Sequence, residues 1–421
     1  MKTSQGGAGP PMDGYDSASV RGLYPSLAQG WTYLNAHTQP QIPEMVAGRM
    51  ASAFRQAPIV APPAGTSGIH SRQPQPGETF GAGYDAAARR AVSDFLGGSA
   101  EAVVLGPSIP ILAQALARSM RARMGRGSTL IYSTGDPEFL TQPFIDVAST
   151  VRSVAPDVGS GRSAAADYAA LMDGSVRLAI ASAADYYTGI VGEISALAEI
   201  VHGARAWLLI DASAYAPYRP VDIDHWDADI VLIDCGALGG PQVAAALFRT
   251  EEMIHGLGFE GAQDFEAKLG LGGSIDRGLL GGVTAIIDHY AGLSQEIRGL
   301  RRRRIAHSMG VVAEHFEELM SYLIDSLMVL DSVHILGISG ETGDPYADHI
   351  ARLSFIIQDV PASTVYQRLV ANGILASITP STPLTTIMGV EDTAGAVSIS
   401  LSPFSHEEDV DNLVRVLTSL A

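Results

Sequence analysis

Short apolar runs alternate with helical patterns between about residues 85 and 290. Each run is too short for a helix and is bounded by glycine, aspartate or serine. The runs lie at 102–105 (AVVL), 128–132 (STLIY), 178–182 (LAIAS), 207–210 (WLLI) and 229–233 (DIVLI). Nearly continuous apolar strands, without period-two alternation, are typical of a sheet buried on both sides. The pattern therefore predicts an α/β fold in which a mostly parallel sheet carries helices on both faces.

The chain's 421 residues are enough for two domains with a large core. We expect residues 1–25 to be a disordered tail, because they are rich in glycine, proline and serine and bury little apolar surface. Residues 26–290 are predicted to form the large domain, with the first of them packing against the smaller one. A long helical pattern at about 282–329, and the strand and helix signals after it, predict a linking helix and a small C-terminal α+β domain over residues 291–421.

The formal net charge of −18 argues against nucleic acid and anionic membranes as partners, because both require a basic footprint. The sequence contains no run of 18 apolar residues, so no membrane span is predicted. The first residues do not resemble a signal peptide. The single cysteine, Cys235, excludes a disulfide framework, so we expect a reducing cytoplasm. The arginines within 298–304 are interpreted as a solvated helix face balanced by Glu296, or else as an anion or partner contact.

Polar side chains follow several of the predicted strands. Ligands of open parallel sheets bind beyond the carboxyl ends of the strands. Asp211 and Asp234 each come directly after an apolar run, so we expect both carboxylates at the same edge of the sheet. Ser108 lies in a Gly-Pro-Ser turn before a helix, where a hydroxyl and free N–H groups suit a phosphate. The structural alternatives are that Ser108 caps its helix and that Asp211 binds loop N–H groups.

Several segments stand out along the chain: 31–43 (WTYLNAHTQPQIP), 87–117 (AARRAVSDFLGGSAEAVVLGPSIPILAQALA), 178–202 (LAIASAADYYTGIVGEISALAEIVH), 207–249 with its Gly-Gly-Pro turn at 239–241, and the C-terminal segments that include GVEDTAGAVSISLSPFSHEEDVDNLVRVL. In this order they resemble the class V aminotransferases, in the cysteine-desulfurase-like or selenocysteine-lyase-like branch. The resemblance implies the fold of the fold-type I transferases that use pyridoxal phosphate (PLP). That fold is an α/β domain built on a seven-stranded, mostly parallel sheet, with a small C-terminal α+β domain.

The resemblance also places an alanine where the family carries its cofactor lysine. That lysine lies three residues before the second glycine of the Gly-Gly-Pro turn and forms the Schiff base with PLP. Ala237 occupies the position here, and the only lysines in the chain are Lys2 and Lys268. Schiff-base chemistry requires a primary amine. The resemblance therefore implies that no internal PLP aldimine forms, and that PLP or pyridoxamine phosphate would have to bind non-covalently.

Two further matched positions keep the family's residue type. Ser108 matches the phosphate contact, and Asp211 matches the partner of the pyridinium nitrogen. The altered positions are Pro137 for the ring-stacking histidine, Tyr186 for an asparagine near the ring oxygen, Ala214 for a histidine, Asp234 for a serine, Ser398 for the arginine that holds the substrate carboxylate, and Leu271-Gly272-Gly273 for a Thr-Gly-Thr contact from the second subunit. Each lost contact is worth about 1–3 kcal/mol. The resemblance thus implies a PLP site that is lost or deeply rebuilt.

The candidate catalytic residues are Asp211, Asp234, Tyr186 and His37. Further acids that could border the same cleft are Asp136, Glu138 and Asp185. Crowded carboxylates raise one another's pKa and can act as a general acid or base, or bind a cationic substrate. The alternative is that several of them cap helices or point into solvent. No metal site is predicted, and Cys235 is expected to be a buried strand residue and not a nucleophile.

Three functional hypotheses follow from the resemblance and the altered site. In the first, the chain is a repurposed, PLP-independent enzyme of specialised metabolism that acts on a small molecule. In the second, it is a non-catalytic subunit that pairs with an active paralogue, since the family's active sites are dimeric. In the third, it binds PLP or pyridoxamine phosphate non-covalently. A homodimer or a heterodimer is expected in each case.

Overall fold

A computed structural model describes residues 15–62, 76–294, 297–338 and 348–420. Its strands are β1 (Thr32–Tyr33), β2 (Val103–Gly106), β3 (Thr129–Ser133), β4 (Thr150–Val154), β5 (Val176–Ser182), β6 (Trp207–Asp211), β7 (Ile230–Asp234), β8 (Ala244–Phe248), β9 (Val333–Ile335), β10 (Arg352–Ile357), β11 (Ile374–Leu375), β12 (Ser377–Ile378) and β13 (Val397–Ser400). The α-helices are α1 (Ser17–Arg21), α2 (Glu44–Gln56), α3 (Gly81–Leu96), α4 (Ile109–Ser119), α5 (Glu138–Ile145), α6 (Ala165–Leu171), α7 (Ile194–Gly203), α8 (Ile223–Trp226), α9 (Glu251–Gly256), α10 (Ala262–Lys268), α11 (Arg277–Tyr290), α12 (Arg301–Met328), α13 (Ala362–Ala371), α14 (Pro383–Ile387) and α15 (Glu407–Leu417).

The large domain is built on a seven-stranded sheet in the order β2-β8-β7-β6-β5-β3-β4. Only β8 runs antiparallel to its neighbours in this sheet. The strands β2, β6, β7 and β8 are buried along almost their whole length, as expected when helices cover both faces. The predicted α/β fold with a mostly parallel sheet is confirmed, and each of the five apolar runs coincides with a strand to within a few residues.

The small domain contains a four-stranded antiparallel sheet in the order β12-β13-β10-β9. The helices α13 and α15 pack together beside it. A second pairing joins the two ends of the chain, because β1 runs parallel to β11, with Thr32 opposite Ile374. The segment around β1 therefore packs beside β11, which follows α13 in the chain.

The expected disordered tail is wrong for residues 15–25, which include helix α1 and the first residue of the 3₁₀ turn Pro25–Leu27. The side chain of Asp16 caps α1 by accepting a hydrogen bond from the Ser19 N–H at 2.9 Å. Val20 and Tyr24 are both buried in the core, and the Tyr24 hydroxyl lies 2.8 Å from His289 Nε2. The composition predicted disorder wrongly here, because two well-spaced apolar side chains are enough to anchor a short segment in the core. Residues 1–14 lie outside the described residues.

The predicted helix over 282–329 is two helices, α11 and α12, with Tyr290 ending the first and Arg301 beginning the second. Arg301 forms an ion pair with Asp94 at 2.7 Å, and Arg302 pairs with Asp222. These two arginines join the start of α12 to the large domain instead of forming a solvated face. Glu296, their expected counter-charge, lies outside the described residues. No helix among the described residues is long and apolar enough to cross a membrane.

Candidate functional site

The parallel strands β5, β6 and β7 end side by side at one edge of the sheet. Ser182 at the end of β5 lies opposite Asp211 at the end of β6, and Asp211 lies opposite Leu232 of β7. Asp234 ends β7 two residues further on. The register therefore brings Asp211 and Asp234 to the same sheet edge, as their positions after two apolar runs predict.

Asp211 accepts three hydrogen bonds from described residues. Its Oδ1 accepts the Ser213 N–H at 2.9 Å and the Ser213 hydroxyl at 2.6 Å, and its Oδ2 accepts the Tyr186 hydroxyl at 2.7 Å. The side chain is only 1% exposed, and burial raises the pKa of its carboxyl. Asp211 is thus the centre of a closed network with donors on both oxygens.

Ser213 connects Asp211 to Asp234. The Ser213 hydroxyl donates to Asp211 and accepts the Asp234 N–H at 3.0 Å, while Asp234 Oδ1 accepts the Gly236 N–H at 2.8 Å. Burial, with a smaller contribution from the charge of Asp211, raises the pKa of Asp234 to about 6. Ser213 was not singled out from the sequence. A serine two residues after an aspartate is the spacing of a local side-chain turn, which is the signal that would have found it.

Tyr186 reaches Asp211 from the loop that follows β5. Burial raises the pKa of its hydroxyl well above the usual range, so the phenol is the donor to Asp211. Its ring meets Phe139 edge to face, with ring centroids 5.7 Å apart. The Tyr186 carbonyl accepts a hydrogen bond from Nη1 of Arg352 on β10. The tyrosine is therefore held at its ring, its hydroxyl and its backbone.

Arg352 is a buried cation of the site that sequence reasoning missed. It is 4% exposed, its Nη2 lies 3.3 Å from the Tyr218 hydroxyl, and its guanidinium stacks over the Tyr218 ring at 5.4 Å. No ion pair joins it to a carboxylate of the described residues, and its Nε has no hydrogen bond among them. Buried charges are normally paired. A lone arginine in the apolar run 352–357 (RLSFII) is the sequence signal for such a residue.

His37 contacts two strands of the small domain, β13 through Ser400 and β12 through Ser377. Its Nδ1 is 2.8 Å from the Ser400 hydroxyl and its Nε2 is 2.6 Å from the Ser377 hydroxyl, so both ring nitrogens are engaged. Burial, with a smaller effect from the charge of Arg352, holds the pKa of His37 well below its usual value. The ring also meets Tyr187 edge to face at 5.9 Å. The imidazole is neutral and fixed, which favours the structural alternative, while its acid–base role stays a prediction.

Ala237 lies in a 3₁₀ turn, Gly236–Leu238, directly after β7. The two glycines that follow are required by space: a Cβ on Gly239 would lie 2.3 Å from the Gln41 carbonyl oxygen, and one on Gly240 would lie 2.7 Å from the Cys235 carbonyl oxygen. Gly239 also has a φ of 85°. The turn that the resemblance identifies is therefore tightly built, and Ala237 is fixed within it.

Lys268, the described lysine, lies elsewhere, at the C-terminal end of α10. Its ammonium is exposed and pairs with Asp264 at 2.8 Å. Lys2 lies outside the described residues.

The remaining matched positions lie outside the network of Asp211 and Asp234. Ser108 precedes α4, but its hydroxyl makes no capping bond, so capping does not account for it. Ser398 is buried, and its hydroxyl lies 2.7 Å from those of Ser354 and Thr379. Pro137 precedes α5, and Ala214 is buried. Cys235 is buried as expected, but it lies one residue beyond β7, at the start of the 3₁₀ turn, and not within the strand; burial raises the pKa of its thiol.

The acids that the sequence groups into one cleft are divided in two by the structure. Asp211 and Asp234 share the network at the ends of β6 and β7. Asp136 and Asp185 line a separate cavity beside the ends of β3 and β5, and Glu138 is exposed at the start of α5. Among the described residues, no group of three or more histidine, cysteine, aspartate or glutamate side chains has the arrangement of a metal site.

Comparisons with known proteins place this chain in a family. A family model described as Aminotransferase class-V matches residues 64–413. Uncharacterized protein MT3887 of Mycobacterium tuberculosis is 35% identical over 413 residues, covering 96% of this chain and 99% of its own length. Aminotransferase-like protein FGM3 of Gibberella zeae is 24% identical over 343 residues, covering 78% of this chain and 81% of its own.

Solved structures of low sequence identity share the fold. The cysteine desulfurase CsdA from Escherichia coli superimposes with a TM-score of 0.76 at 18% identity, covering 96% of this chain and 98% of its own. A lysine-to-alanine variant of C-DES, with glycine covalently linked to the PLP cofactor, gives a TM-score of 0.72 at 15% identity and covers 94% and 98% of the two chains. With the family model matching most of the chain, this protein belongs to the class V aminotransferase family.

Proposed function

We propose that this chain is a repurposed member of its family, a PLP-independent enzyme that acts on a small molecule. The observation that carries the proposal is the 2.7 Å hydrogen bond from the Tyr186 hydroxyl to Asp211. In the family, this aspartate pairs with the pyridinium nitrogen of PLP. Here its two oxygens already accept donors from the protein itself.

The side chains at the strand ends do not fit PLP. A pyridinium N–H at Asp211 would compete with the phenol of Tyr186, which is held by Phe139 and by Arg352. Ala237 supplies no amine for a covalent link. The hydroxyl of Ser108 remains available for a phosphate, but one such contact is worth only about 1–3 kcal/mol. We therefore derive no chemical step through the cofactor.

Asp234 is the residue that we assign as general acid or base. It is partly exposed, and its pKa of about 6 allows both protonation states near neutral pH. Asp211 and Ser213 position it through the Ser213 hydroxyl and the Asp234 N–H. Tyr186 and Asp211 then act as a buried scaffold for the carboxyl group of Asp234.

An assay of substrate consumption tests whether the protein is an enzyme. Purified protein is incubated with a defined panel of amino acids, amines and organic acids, and depletion is followed by mass spectrometry. We expect at least one compound to be consumed by the unsubstituted protein and by Asp331→Asn, a control on an exposed turn, but not by Asp234→Asn. Equal consumption by Asp234→Asn would remove Asp234 from the mechanism, and no consumption by any form would count against an enzyme of this substrate range.

The absence of an internal aldimine is tested separately, by absorbance and by borohydride reduction with PLP. We expect no reduced adduct on the unsubstituted chain. We also expect none at the turn in Ala237→Lys, because Tyr186 still occupies Asp211. The double variant Ala237→Lys, Tyr186→Asn restores an amine and frees Asp211, so it should form the adduct. A specific adduct on the unsubstituted chain, absent from Lys268→Ala, would show that Lys268 replaces the lost amine.

Non-covalent binding of PLP or pyridoxamine phosphate is the alternative with an observation in its favour. The C-DES variant has an alanine in place of a lysine and still carries a PLP–glycine adduct. Equilibrium dialysis of the unsubstituted protein with pyridoxamine phosphate separates the two proposals. Micromolar binding that is lost in Ser108→Ala would favour the alternative.

Pairing with a second subunit is also a proposal, either with a second copy or with an active paralogue. Gly272 and Gly273, at the position of the family's contact from the partner subunit, line a cavity with Arg89 and Arg277. Light scattering at micromolar concentration tests whether the chain is a dimer. Restoration of activity to a paralogue by the Asp234→Asn variant would favour the non-catalytic role.

A further inference from the structure

A cavity of about 70 Å³ opens beside the ends of β3 and β5. Its walls come from these strand ends, from the starts of α6 and α7, and from Leu384 of α14 in the small domain. Asp211, Asp234 and Tyr186 do not line it. Binding in this cavity would therefore be independent of the function proposed above.

Three buried polar atoms of this cavity's lining residues have no hydrogen-bond partner among the described residues. They are Oδ2 of Asp136, Oγ of Ser182 and Nε of Arg162. The Ser182 hydroxyl nevertheless lies near enough to the Asp136 carboxyl to lower its pKa, against the larger effect of burial. The other carboxyl oxygen of Asp136, Oδ1, accepts the Ser182 N–H at 3.0 Å. A buried polar atom left unpaired costs about 1–3 kcal/mol. Asp136 Oδ2 and Ser182 Oγ can both accept a hydrogen bond, which points to a donor group that binds there, whereas Arg162 Nε can only donate and is not explained by such a group.

The charged side chains around the cavity determine whether it favours a positively or a negatively charged group. The titratable side chains that line it are Asp136, Asp185, Glu193, Arg162 and Tyr168. Asp185 Oδ1 accepts the N–H groups of the loop that follows it, and Glu193 Oε2 accepts the Ala165 N–H at 2.9 Å. With three carboxyl groups against one guanidinium, the cavity favours a cation over an anion.

The rest of the lining is apolar and limits the size of the ligand. Ile190, Ile194, Leu197 and Leu384 provide a hydrophobic wall. A water molecule needs about 10–15 Å³ of such space, and a cavity of about 150 Å³ accepts benzene. A volume of about 70 Å³ therefore suits a chain of a few carbon atoms that carries one charged end.

We propose that this cavity binds a small alkylammonium ion, with its ammonium group at Asp136 and its carbon chain against Ile194 and Leu384. The ammonium group donates to the unpaired Oδ2 of Asp136 and to the Ser182 hydroxyl. The carbon chain replaces water along the apolar wall.

Binding of this kind depends on pH. Burial raises the pKa of Asp136 to about 7, and the ion pair requires the ionised carboxylate. An alkylammonium with a pKa of about 10.4, as in lysine, stays charged throughout the neutral range. The ionised fraction of Asp136 rises about tenfold between pH 6 and pH 8, so affinity should rise by the same factor.

Isothermal titration of the full chain with n-butylammonium tests the inference, with butanol and butyrate as neutral and anionic probes of similar shape. We expect millimolar or tighter binding of butylammonium at pH 8 and no comparable binding of the other two. Affinity should fall about tenfold at pH 6, and at least tenfold in Asp136→Asn at pH 8. The exposed-turn control Asp331→Asn should bind as the unsubstituted protein does.

Several results would overturn the inference. They are equal binding of butanol or butyrate, no binding of butylammonium, affinity independent of pH, or unchanged affinity in a folded Asp136→Asn variant. The pH profile is measured on the unsubstituted protein, so the test stands even if the variant does not fold. The failure of this test would leave the role of Asp234 untouched, because the two aspartates are probed by different substitutions.

Discussion

Two aspartates at the same edge of the sheet have opposite surroundings. Asp211 accepts three hydrogen bonds and has donors on both carboxyl oxygens. Asp136 accepts one hydrogen bond, and among the described residues its Oδ2 has no partner. Both carboxyl groups are buried by their surroundings, which raises the pKa of each. The difference shows that strand-end position alone does not make a binding group: a saturated carboxylate supports its neighbours, and an unsaturated one is available to a ligand.

The largest expected effect comes from breaking the saturated network. Asp211→Ala leaves the Tyr186 hydroxyl and the donors of Ser213 without their acceptor. Each buried unpaired donor costs about 1–3 kcal/mol, so we expect the free energy of unfolding to fall by about 3–5 kcal/mol. Urea denaturation followed by circular dichroism measures this. A loss below about 1 kcal/mol, or a loss equal to that of the exposed control Asp331→Ala, would show that the network is not stabilising.

The next effect separates Asp136 from Asp211 through pH. Because the folded pKa of Asp136, about 7, lies above its unfolded value, the folded protein holds the proton more tightly. This contribution favours folding below about pH 4 and is lost as the pH rises toward 7. We expect Asp136→Asn to be more stable than the unsubstituted protein at pH 8 and to show a flatter stability profile between pH 5 and 8. Parallel profiles for the two proteins would contradict an elevated pKa at Asp136.

A smaller effect tests the phenol that occupies Asp211. Tyr186→Phe keeps the ring against Phe139 and removes only the donor. We expect the free energy of unfolding to fall by about 1.5–3 kcal/mol, the worth of one hydrogen bond to a charged group. Since that bond also lowers the pKa of Asp211, the variant should lose further stability as the pH rises. Tyr132→Phe, on a neighbouring strand, is the matched control. Equal effects in both variants would mean that the Tyr186 hydroxyl has no special partner.

The smallest effect concerns Ser108, whose hydroxyl makes no capping bond. Ser108→Ala should change the free energy of unfolding by less than about 0.5 kcal/mol. In Thr382, by contrast, the side chain accepts the Thr385 N–H in a capping box, so Thr382→Ala should cost about 1 kcal/mol. Thermal melts of the two variants measure the difference. A cost for Ser108→Ala equal to that for Thr382→Ala would mean that its hydroxyl has a structural partner after all.

Much of the fold was predictable because buried parallel strands have a local signature. The runs at 207–210 and 229–233 predicted two strands, and their neighbouring ends predicted that Asp211 and Asp234 meet at one edge. The partners of these residues were harder to predict. Tyr186 reaches Asp211 from 25 positions away, and Arg352 reaches the Tyr186 carbonyl from 166 positions away. Apolar periodicity carries no information about such pairs.

The same limit explains why the acids were grouped wrongly. Asp136 and Asp234 both follow strands, but the sheet order places β6 and β5 between β7 and β3. That order depends on crossovers that no single segment specifies. His37 is the extreme case, since its two serine partners lie 340 and 363 positions further along the chain. Its fixed, neutral state follows from contacts that only the folded chain brings together.

The pairing of β1 with β11 has a consequence for how this protein is made. Thr32 leaves the ribosome about 340 residues before its partner Ile374. At roughly 5–20 residues per second, the strand waits on the order of 20–70 seconds for the segment that completes it. During that time, Thr32 and Tyr33 lack their strand partner. The pairing of β1 with β11 therefore forms only after most of the chain between them has been synthesised.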